Sequence, residues 1–296
     1  MKISALRTRF HQKLSPLYDP REIDAIFYIY IKYKYNIEKH YYFLYLNYQI
    51  GIDVTEINAL IKGTPIQYIT GKANFCNLEI NVNPSVLIPR QETEELVEKI
   101  IKIQNSKPNV QDFCSHLASS CRSVRILDLC TGSGVIAITL AKNIKNAEVW
   151  ATDISEDALK TARENAIQHN VAITFFQHDI LNVTTRHAPY LPNNLDIIVA
   201  NPPYIPYSER SGLHKNVINF EPDIALFVPD KNPLIFYEAI ANTAKKILRK
   251  GGVLYFETHE KFHSELSTML GEKDFKEIEL LNDINEKPRF ASGKKL

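Results

Sequence analysis

The sequence predicts an α/β protein with two domains, a small helical bundle followed by a mostly parallel β-sheet covered by helices on both faces. Three observations carry this expectation. Beyond residue 123, short apolar runs alternate with longer helical patterns, the strand candidates being Arg125–Leu129, Glu148–Thr152, Thr174–Gln177, Leu195–Ala200 and Val253–Glu257. Such alternation builds a parallel sheet with crossover helices. A glycine-rich turn, Cys130-Thr131-Gly132-Ser133-Gly134, joins the first run to the helix-forming Val135-Ile136-Ala137-Ile138. Residues 3–62, by contrast, hold apolar stretches at helical spacing and no strand-like alternation.

Taken in order, the first stretches are divided by Ser15-Pro16, Asp19-Pro20 and Gly51, which predicts a bundle of short helices. Its second and third helices are loaded with tyrosine, Tyr28, Tyr30, Tyr33 and Tyr35, then Tyr41, Tyr42, Tyr45 and Tyr48. These fit core packing with exposed hydroxyls, or a face for a protein partner. From Gly63 the texture changes, and Phe75, Leu78, Ile80 and Val82 alternate as a hairpin would. A helix follows with Leu96, Val97, Ile100 and Ile101 on one face. Asn105 to Arg122 is polar and lacks a period, so it is expected as a loop. Further helices are expected over Ser155–Gln168 and from about Pro233 to Arg249, the latter stopped by Gly251-Gly252. Phe275–Leu281 and Pro288–Ser292 suit a closing antiparallel pair.

Composition narrows the function classes. Lysine plus arginine number 35 against 34 acidic residues, so no global field draws the chain toward nucleic acid or an anionic membrane. Cys76, Cys114, Cys121 and Cys130 have no C-x-x-C spacing and no histidine cluster beside them, which argues against a zinc site and for reduced thiols in a cytoplasm. The stretch after Met1 is broken by Arg7, Arg9, His11 and Lys13 and lacks the apolar core of a signal peptide. Lys32, Lys34, Glu38 and Lys39 likewise break the most apolar window, Ala25–Ile31, well short of a membrane span.

Two strand ends carry the chemistry. Asn201-Pro202-Pro203-Tyr204 follows the apolar run Ile197-Ile198-Val199-Ala200. A carboxamide accepts hydrogen bonds from a planar NH2 group, proline fixes the backbone while leaving carbonyls free, and an aromatic ring offers a flat face. At the other strand end, the glycine turn lets a ligand approach the backbone, and Asp153, closing the next strand, can accept from ribose hydroxyls. Gly132-x-Gly134-x-x-Ala137 equally satisfies a dinucleotide fingerprint, so the loop alone does not choose the cofactor. Asp128, just before it, favours a cationic cofactor with an amino-acid part, such as S-adenosylmethionine, over a pyrophosphate. Asp179 ends the third strand where an adenine would sit, and the adjacent His178 reads as an incidental surface residue.

Three segments in this order and spacing resemble the peptide-chain release factor glutamine N5-methyltransferases, the PrmC/HemK family. They are Val86-Leu87-Ile88-Pro89-Arg90-x-Glu92-Thr93-Glu94, Asp128-Leu129-x-Thr131-Gly132-Ser133-Gly134 and Asn201-Pro202-Pro203-Tyr204-Ile205. Gln67-Tyr68-Ile69-x-Gly71 and Phe220-Glu221-Pro222-x-x-Ala225-Leu226 add to it; coverage is weakest over the first 60 residues. Cys130 stands where many methyltransferases have a glycine, and Gln91 where the family often has proline.

The resemblance implies a Rossmann-like S-adenosylmethionine-dependent methyltransferase domain with a seven-stranded sheet over residues 91–296. A helical substrate-recognition domain over 1–73 and a β-hairpin linker over 74–90 would precede it. It implies methyl transfer to the glutamine of the Gly-Gly-Gln motif in class 1 release factors, leaving S-adenosylhomocysteine. Cys130, Thr131, Gly132, Ser133 and Gly134 would line the methionine part of the cofactor, Asp153 would hold the ribose, and Asp179 and Ile180 would flank the adenine. Asn201 and the Pro202 carbonyl would grip the glutamine NH2, Pro203 and Tyr204 would pack beside it, and Asn201 would also touch the cofactor. No metal, nucleic acid or membrane is expected, and the chain is expected to act as a cytoplasmic monomer. Two other classes compete: a nucleic-acid amino methyltransferase acting on adenine N6 or guanine N2, which presents the same planar donor pair, and a cofactor-binding interaction protein without catalysis.

Overall fold

The computed structural model describes residues 1–106, 122–182 and 191–296. The expected loop from Asn105 to Arg122 falls largely outside these residues, as do Cys114 and Cys121. The described residues form two compact units, one of Met1–Lys72 with Leu213–Phe220, the other of Ala73–Gly212 with Glu221–Leu296.

In the first unit, α1 (Ile3–Leu14) and α2 (Pro20–Tyr35) pack through Leu6, Phe10, Phe27 and Tyr30. The Asp19 side chain accepts from the Arg21 and Glu22 N–H groups, and Pro20 opens α2 where a missing N–H is harmless. Asn36, left-handed at φ 55°, ends it. Arg7 and His11 on α1 reach Asp24 on α2 at 2.8 and 2.7 Å. The Arg7 hydrogen bond is the main reason that this carboxyl sits at about 2. α3 (Val54–Ile61), α4 (Ile66–Thr70) and the short helix Lys215–Phe220 complete the unit. The tyrosine-rich third stretch differs from expectation. Lys39–Tyr45 is a 3-10 helix with only Tyr42 buried, because aromatics around its whole circumference give it no single apolar stripe.

In the second unit, β1 (Lys72–Phe75) and β2 (Leu78–Asn81) form a hairpin turned by Cys76 and Asn77, both at positive φ. α5 (Gln91–Ser106) buries Leu96, Val97 and Ile100. The main sheet is built from β3 (Val124–Leu129), β4 (Ala147–Asp153), β5 (Ile173–Gln177), β6 (Leu195–Ala200), β9 (Leu248–Glu257), β10 (Phe275–Asn282) and β11 (Pro288–Lys295), with β7 (Ile205–Pro206) and β8 (Phe227–Val228) paired separately. Its order is β10-β11-β9-β6-β3-β4-β5, parallel from β9 through β5 and antiparallel at β9–β11–β10. This is the mostly parallel α/β sheet the sequence predicts. The crossovers are α6 (Val135–Asn143), α7 (Glu156–Gln168) and α8 (Ile235–Ile247), and α9 (His263–Glu272) precedes the closing pair.

Gly251-Gly252 does not stop a helix. α8 ends at Ile247, and the glycines lie inside β9, where Leu195 pairs with Leu248 but Ile197 already pairs with Val253. The extra residues loop out through Gly251 at φ 76°, and a Cβ on Gly252 would stand 2.8 Å from the Leu195 carbonyl oxygen.

β3 has β4 on one side and β6 on the other, so the chain's winding direction reverses there. Crevices for ligands open at the carboxyl ends of strands at such a switch point. One buried amide braces this end of the sheet. Asn165 on α7 donates to the carbonyls of Ser133 and Asn81 at 2.9 and 3.0 Å and accepts from the Asn81 N–H at 2.8 Å. Asn165→Ala strips partners from three backbone groups and is expected to cost about 2–3 kcal/mol, read as a lowered urea midpoint; an unchanged midpoint contradicts the bracing role.

Candidate active site

β3 ends in Asp128-Leu129 and hands the chain to a loop whose conformation only certain residues tolerate. Cys130, Gly132 and Gly134 have φ of 61°, 55° and 86°. A Cβ at Gly134 would meet Ala162 at 3.0 Å, so this glycine lets α6 pack on α7. A Cβ at Gly132 would meet nothing within 4 Å, because open space lies above it. The Gly132 N–H donates to Asp153 Oδ2 at 2.9 Å, and the Ser155 N–H to Asp153 Oδ1 at 3.0 Å, so the carboxylate that ends β4 holds the loop by its backbone. Burial raises the Asp153 carboxyl above its ordinary value.

Beneath the loop Asp128 is fully buried. Its Oδ2 accepts from Thr131 Oγ1 at 2.5 Å and the Ala137 N–H at 3.2 Å, and its Oδ1 has no partner among the described residues. Burial is the dominant cause that pushes its carboxyl up to about 7. The Cys130 thiol is pushed well above its usual value by burial and then by Asp153, Asp128 and Asp179, which keeps it neutral.

A cavity of about 270 Å³ opens over this loop. Of the residues the sequence singled out, Cys130, Gly132, Asp153, Asp179, Ile180, Asn201 and Pro203 line it. Thr131, Ser133, Gly134, Pro202 and Tyr204 do not; Thr131 is committed to Asp128, and the Ser133 carbonyl to Asn165. His178 departs from expectation. It is 8 % exposed, lines the cavity, and its Nε2 is buried with no partner among the described residues. Burial lowers its pKa, keeping the ring neutral. Val86 and Leu87 form another part of the wall, with Ile224, Ala225 and Phe236. Their loops are joined by Glu221, whose side chain accepts from Arg90 Nη2 at 2.5 Å and the Ile88 N–H at 3.2 Å.

Asn201 directly follows β6, and here the sequence reading missed two partners. Asn201 Nδ2 donates to Thr93 Oγ1 at 3.1 Å, and Thr93 Oγ1 donates to Glu257 Oε2 at 2.6 Å. The Tyr204 hydroxyl donates to the other carboxylate oxygen at 3.2 Å. Glu257, at the end of β9, is 1 % exposed, and burial pushes its carboxyl up to about 6 despite the hydrogen bonds from Thr93 and Tyr204. The available signal was a charged residue closing the apolar run Val253-Leu254-Tyr255-Phe256. Tyr204 also packs edge-on to His259, ring centroids 6.0 Å apart.

The cavity suits a nucleoside-bearing ligand. Ile154, Ala158, Ile180 and Phe236 give apolar walls for a planar ring, Asp153 and Asp179 give acceptors for hydroxyl and amino hydrogens, His178 adds an Nε2 without a partner among the described residues, and Gly132 leaves room where a side chain would intrude. Among the described residues no group of three or more His, Cys, Asp or Glu side chains is placed to hold a metal ion.

Fold and site together define a methyltransferase: residues 121–291 match the family model described as a methyltransferase domain. The Thermus thermophilus 16S rRNA N2 G1207 methyltransferase, solved in complex with AdoMet and guanosine, superposes with a TM-score of 0.51 at 18 % identity over 76 % of this chain and 50 % of that one, a likeness of fold. The curated relatives are more particular. The release factor glutamine methyltransferase of Flavobacterium psychrophilum is 40 % identical over 96 % of both chains, and that of Bacteroides thetaiotaomicron 39 % identical over 79 % of this chain and 77 % of its own. The chain belongs to the release factor glutamine methyltransferase family.

The buried Asp128 carries a pH signature. Its folded pKa of about 7 lies above the ordinary carboxylate value of 3.8, so the folded chain binds this proton more tightly than the unfolded one. Its contribution is fully present below about 3.8 and is lost progressively as pH rises from there through about 7. Asp128→Asn is therefore expected to raise the thermal midpoint of the cofactor-free chain most at pH 8 and distinctly less at pH 5, since the penalty disappears only below about 3.8. Scans at both pH values check this, and an equal loss at both overturns it.

Proposed function

We propose that this chain transfers a methyl group from S-adenosylmethionine to the side-chain amide nitrogen of the glutamine in the Gly-Gly-Gln motif of class 1 peptide-chain release factors. One observation carries the reading: Asn201 stands on the wall of the same cavity that Cys130, Gly132 and Asp153 line. The bound cofactor supplies an electrophilic methyl on a sulfonium, together with its leaving group.

The residues of the chain then have a task of alignment. An amide nitrogen is a poor nucleophile because its lone pair is delocalised into the carbonyl. Asn201 Oδ1 and the Pro202 carbonyl accept the two amide hydrogens, turning the lone pair toward the methyl and favouring the positive charge that grows on nitrogen. Such positioning lowers a barrier by up to roughly 7 to 11 kcal/mol in the best-aligned cases. Tyr204 packs beside the glutamine with Pro203. No base is needed before attack, since the proton leaves afterwards.

On the cofactor side, Cys130 and Gly132 face the methionine part on the loop that Thr131, Ser133 and Gly134 shape from beneath, Asp153 holds the ribose, and Asp179 and Ile180 the adenine, with Asn201 touching both ligands. His178 Nε2 joins them as a polar contact. The product is S-adenosylhomocysteine, no metal takes part, and the chain works as a monomer in the cytoplasm. The helical residues 1–73 contribute to recognition of the protein substrate, for which Tyr41, Phe43, Leu44 and Tyr48 offer exposed apolar surface.

Incubation with labelled S-adenosylmethionine and either a native release factor or one with its Gly-Gly-Gln glutamine replaced is expected to label only the native factor; equal labelling of both refutes the assignment. Asn201→Ala is expected to keep cofactor binding by calorimetry and to lose about 10²- to 10³-fold in kcat, whereas near-native turnover would remove the proposed grip.

A further inference from the structure

We propose that Thr93 and Glu257 are positioning residues for the transfer, setting which atom of the Asn201 carboxamide faces the substrate. The proposal rests on the glutamine-methylation reading and deepens it.

Proton counting carries it. A hydroxyl has one hydrogen and a carboxylate has none. Both oxygens of Glu257 are met by hydroxyls, Oε2 by Thr93 at 2.6 Å and Oε1 by Tyr204 at 3.2 Å. Each hydroxyl must therefore donate to the carboxylate, and the single hydrogen of Thr93 is spent there. What remains on Thr93 Oγ1 is lone pairs, so the Asn201 atom 3.1 Å away has to be the donor Nδ2. Oδ1 is then forced to the other side of the carboxamide, as the acceptor that a substrate NH2 needs. A flipped carboxamide would set Oδ1 against the Thr93 lone pairs and present an NH2 to an NH2.

Burial makes the ordering strict. Thr93 is 3 % and Glu257 1 % exposed, so water cannot stand in for a missing donor or acceptor. The same carboxylate holds Tyr204 by its hydroxyl, and Tyr237 from α8 donates to the Glu257 backbone carbonyl at 3.2 Å. Helix α5, strand β9 and the loop after β6 are thus joined behind the reacting amide.

Protonation of Glu257 breaks the rule, because the carboxyl then has a hydrogen of its own. It can donate to Thr93, which frees the Thr93 hydrogen for Asn201 Oδ1 and permits the flip. The charged and titratable groups facing Glu257 are Glu92 from α5, which opposes ionisation, Arg289 from β11, which favours it, and the hydroxyls of Tyr204 and of Tyr237 from α8; burial sets the balance at about 6.

The test compares Thr93→Val, which keeps the shape and removes the hydroxyl, with Thr93→Ser, which keeps the hydroxyl. With a native release factor as substrate, Thr93→Val is expected to lower kcat by about 10²-fold while the cofactor dissociation constant and the KM for the release factor stay near native. Thr93→Ser is expected to remain close to native. Near-native kcat for Thr93→Val, or equal loss in both variants, overturns the proposal, since either means that the side chain acts by packing alone. A second measurement needs no substitution at Thr93: at saturating cofactor, native kcat is expected to fall as pH drops through about 6 and to lose that dependence in Glu257→Gln. A flat native profile overturns it too. Failure of the native chain to methylate any release factor sinks the glutamine reading and this inference with it, a result distinct from native transfer with an undiminished Thr93→Val.

Discussion

The parallel pairing of β3 with β6 is the constraint on which the rest of the site depends. Asp128 pairs with Val199 and Leu129 with Ala200, so the loop after β3 and the loop after β6 leave the sheet at the same level and the same end. The connections from β3 to β4 and from β6 onward then run away from each other, and the space between is left open. Nothing in Asn201-Pro202-Pro203-Tyr204 or in the glycine loop creates that proximity. It comes from strand order, and strand order comes from the apolar residues of β3 and β6, which are buried on both faces of the sheet.

Around this crevice the protein buries polar groups where apolar ones would be more stable. Asp128, Asn165 and Glu257 are each almost or wholly buried. The three differ in how well they are satisfied. Asn165 uses both ends of its amide to join α7, β2 and the glycine loop. Glu257 has both oxygens filled by hydroxyls, yet burial still lifts its pKa. Asp128 has one oxygen unpartnered among the described residues and is lifted furthest of the two acids. The order of satisfaction matches the order of proposed function. The fully paired amide braces, the paired carboxylate orients, and the half-paired carboxylate sits beneath the loop assigned to a cationic ligand, where a positive charge would draw off its proton.

Much of this was legible in the sequence because it depends on local pattern. The apolar runs of β3, β4, β5 and β6 appear within a residue of their expected bounds, and the loop glycines announce a backbone other residues resist. What was not legible depends on partners distant in the chain. Gly251-Gly252 read as a helix stop because glycine favours both that role and a bulge, and only the register of β9 against β6 separates them. His178 read as surface because one polar residue in a short strand end gives no sign of what covers it. The tyrosines of Lys39–Tyr45 read as helix because residue type says nothing about which side of a segment is packed.

Thr93 and Glu257 show the same limit at the site itself. Their separation in sequence is 164 residues, and neither belongs to the segment whose side chain they orient. Thr93 was visible only as one letter of Arg90-x-Glu92-Thr93-Glu94, a segment that distinguishes a glutamine substrate from a base by resemblance, without stating a cause. The hydrogen-bond chain supplies a cause of a general kind. An asparagine at a strand end can present either edge of its carboxamide, and the two edges differ in what they recognise, a donor or an acceptor. The motif provides the carboxamide; a buried anion at the end of the next strand over, reached through one hydroxyl, decides the edge. In the proposed transfer, specificity for an NH2 group is thus a property of the proton inventory behind Asn201 as much as of Asn201 itself.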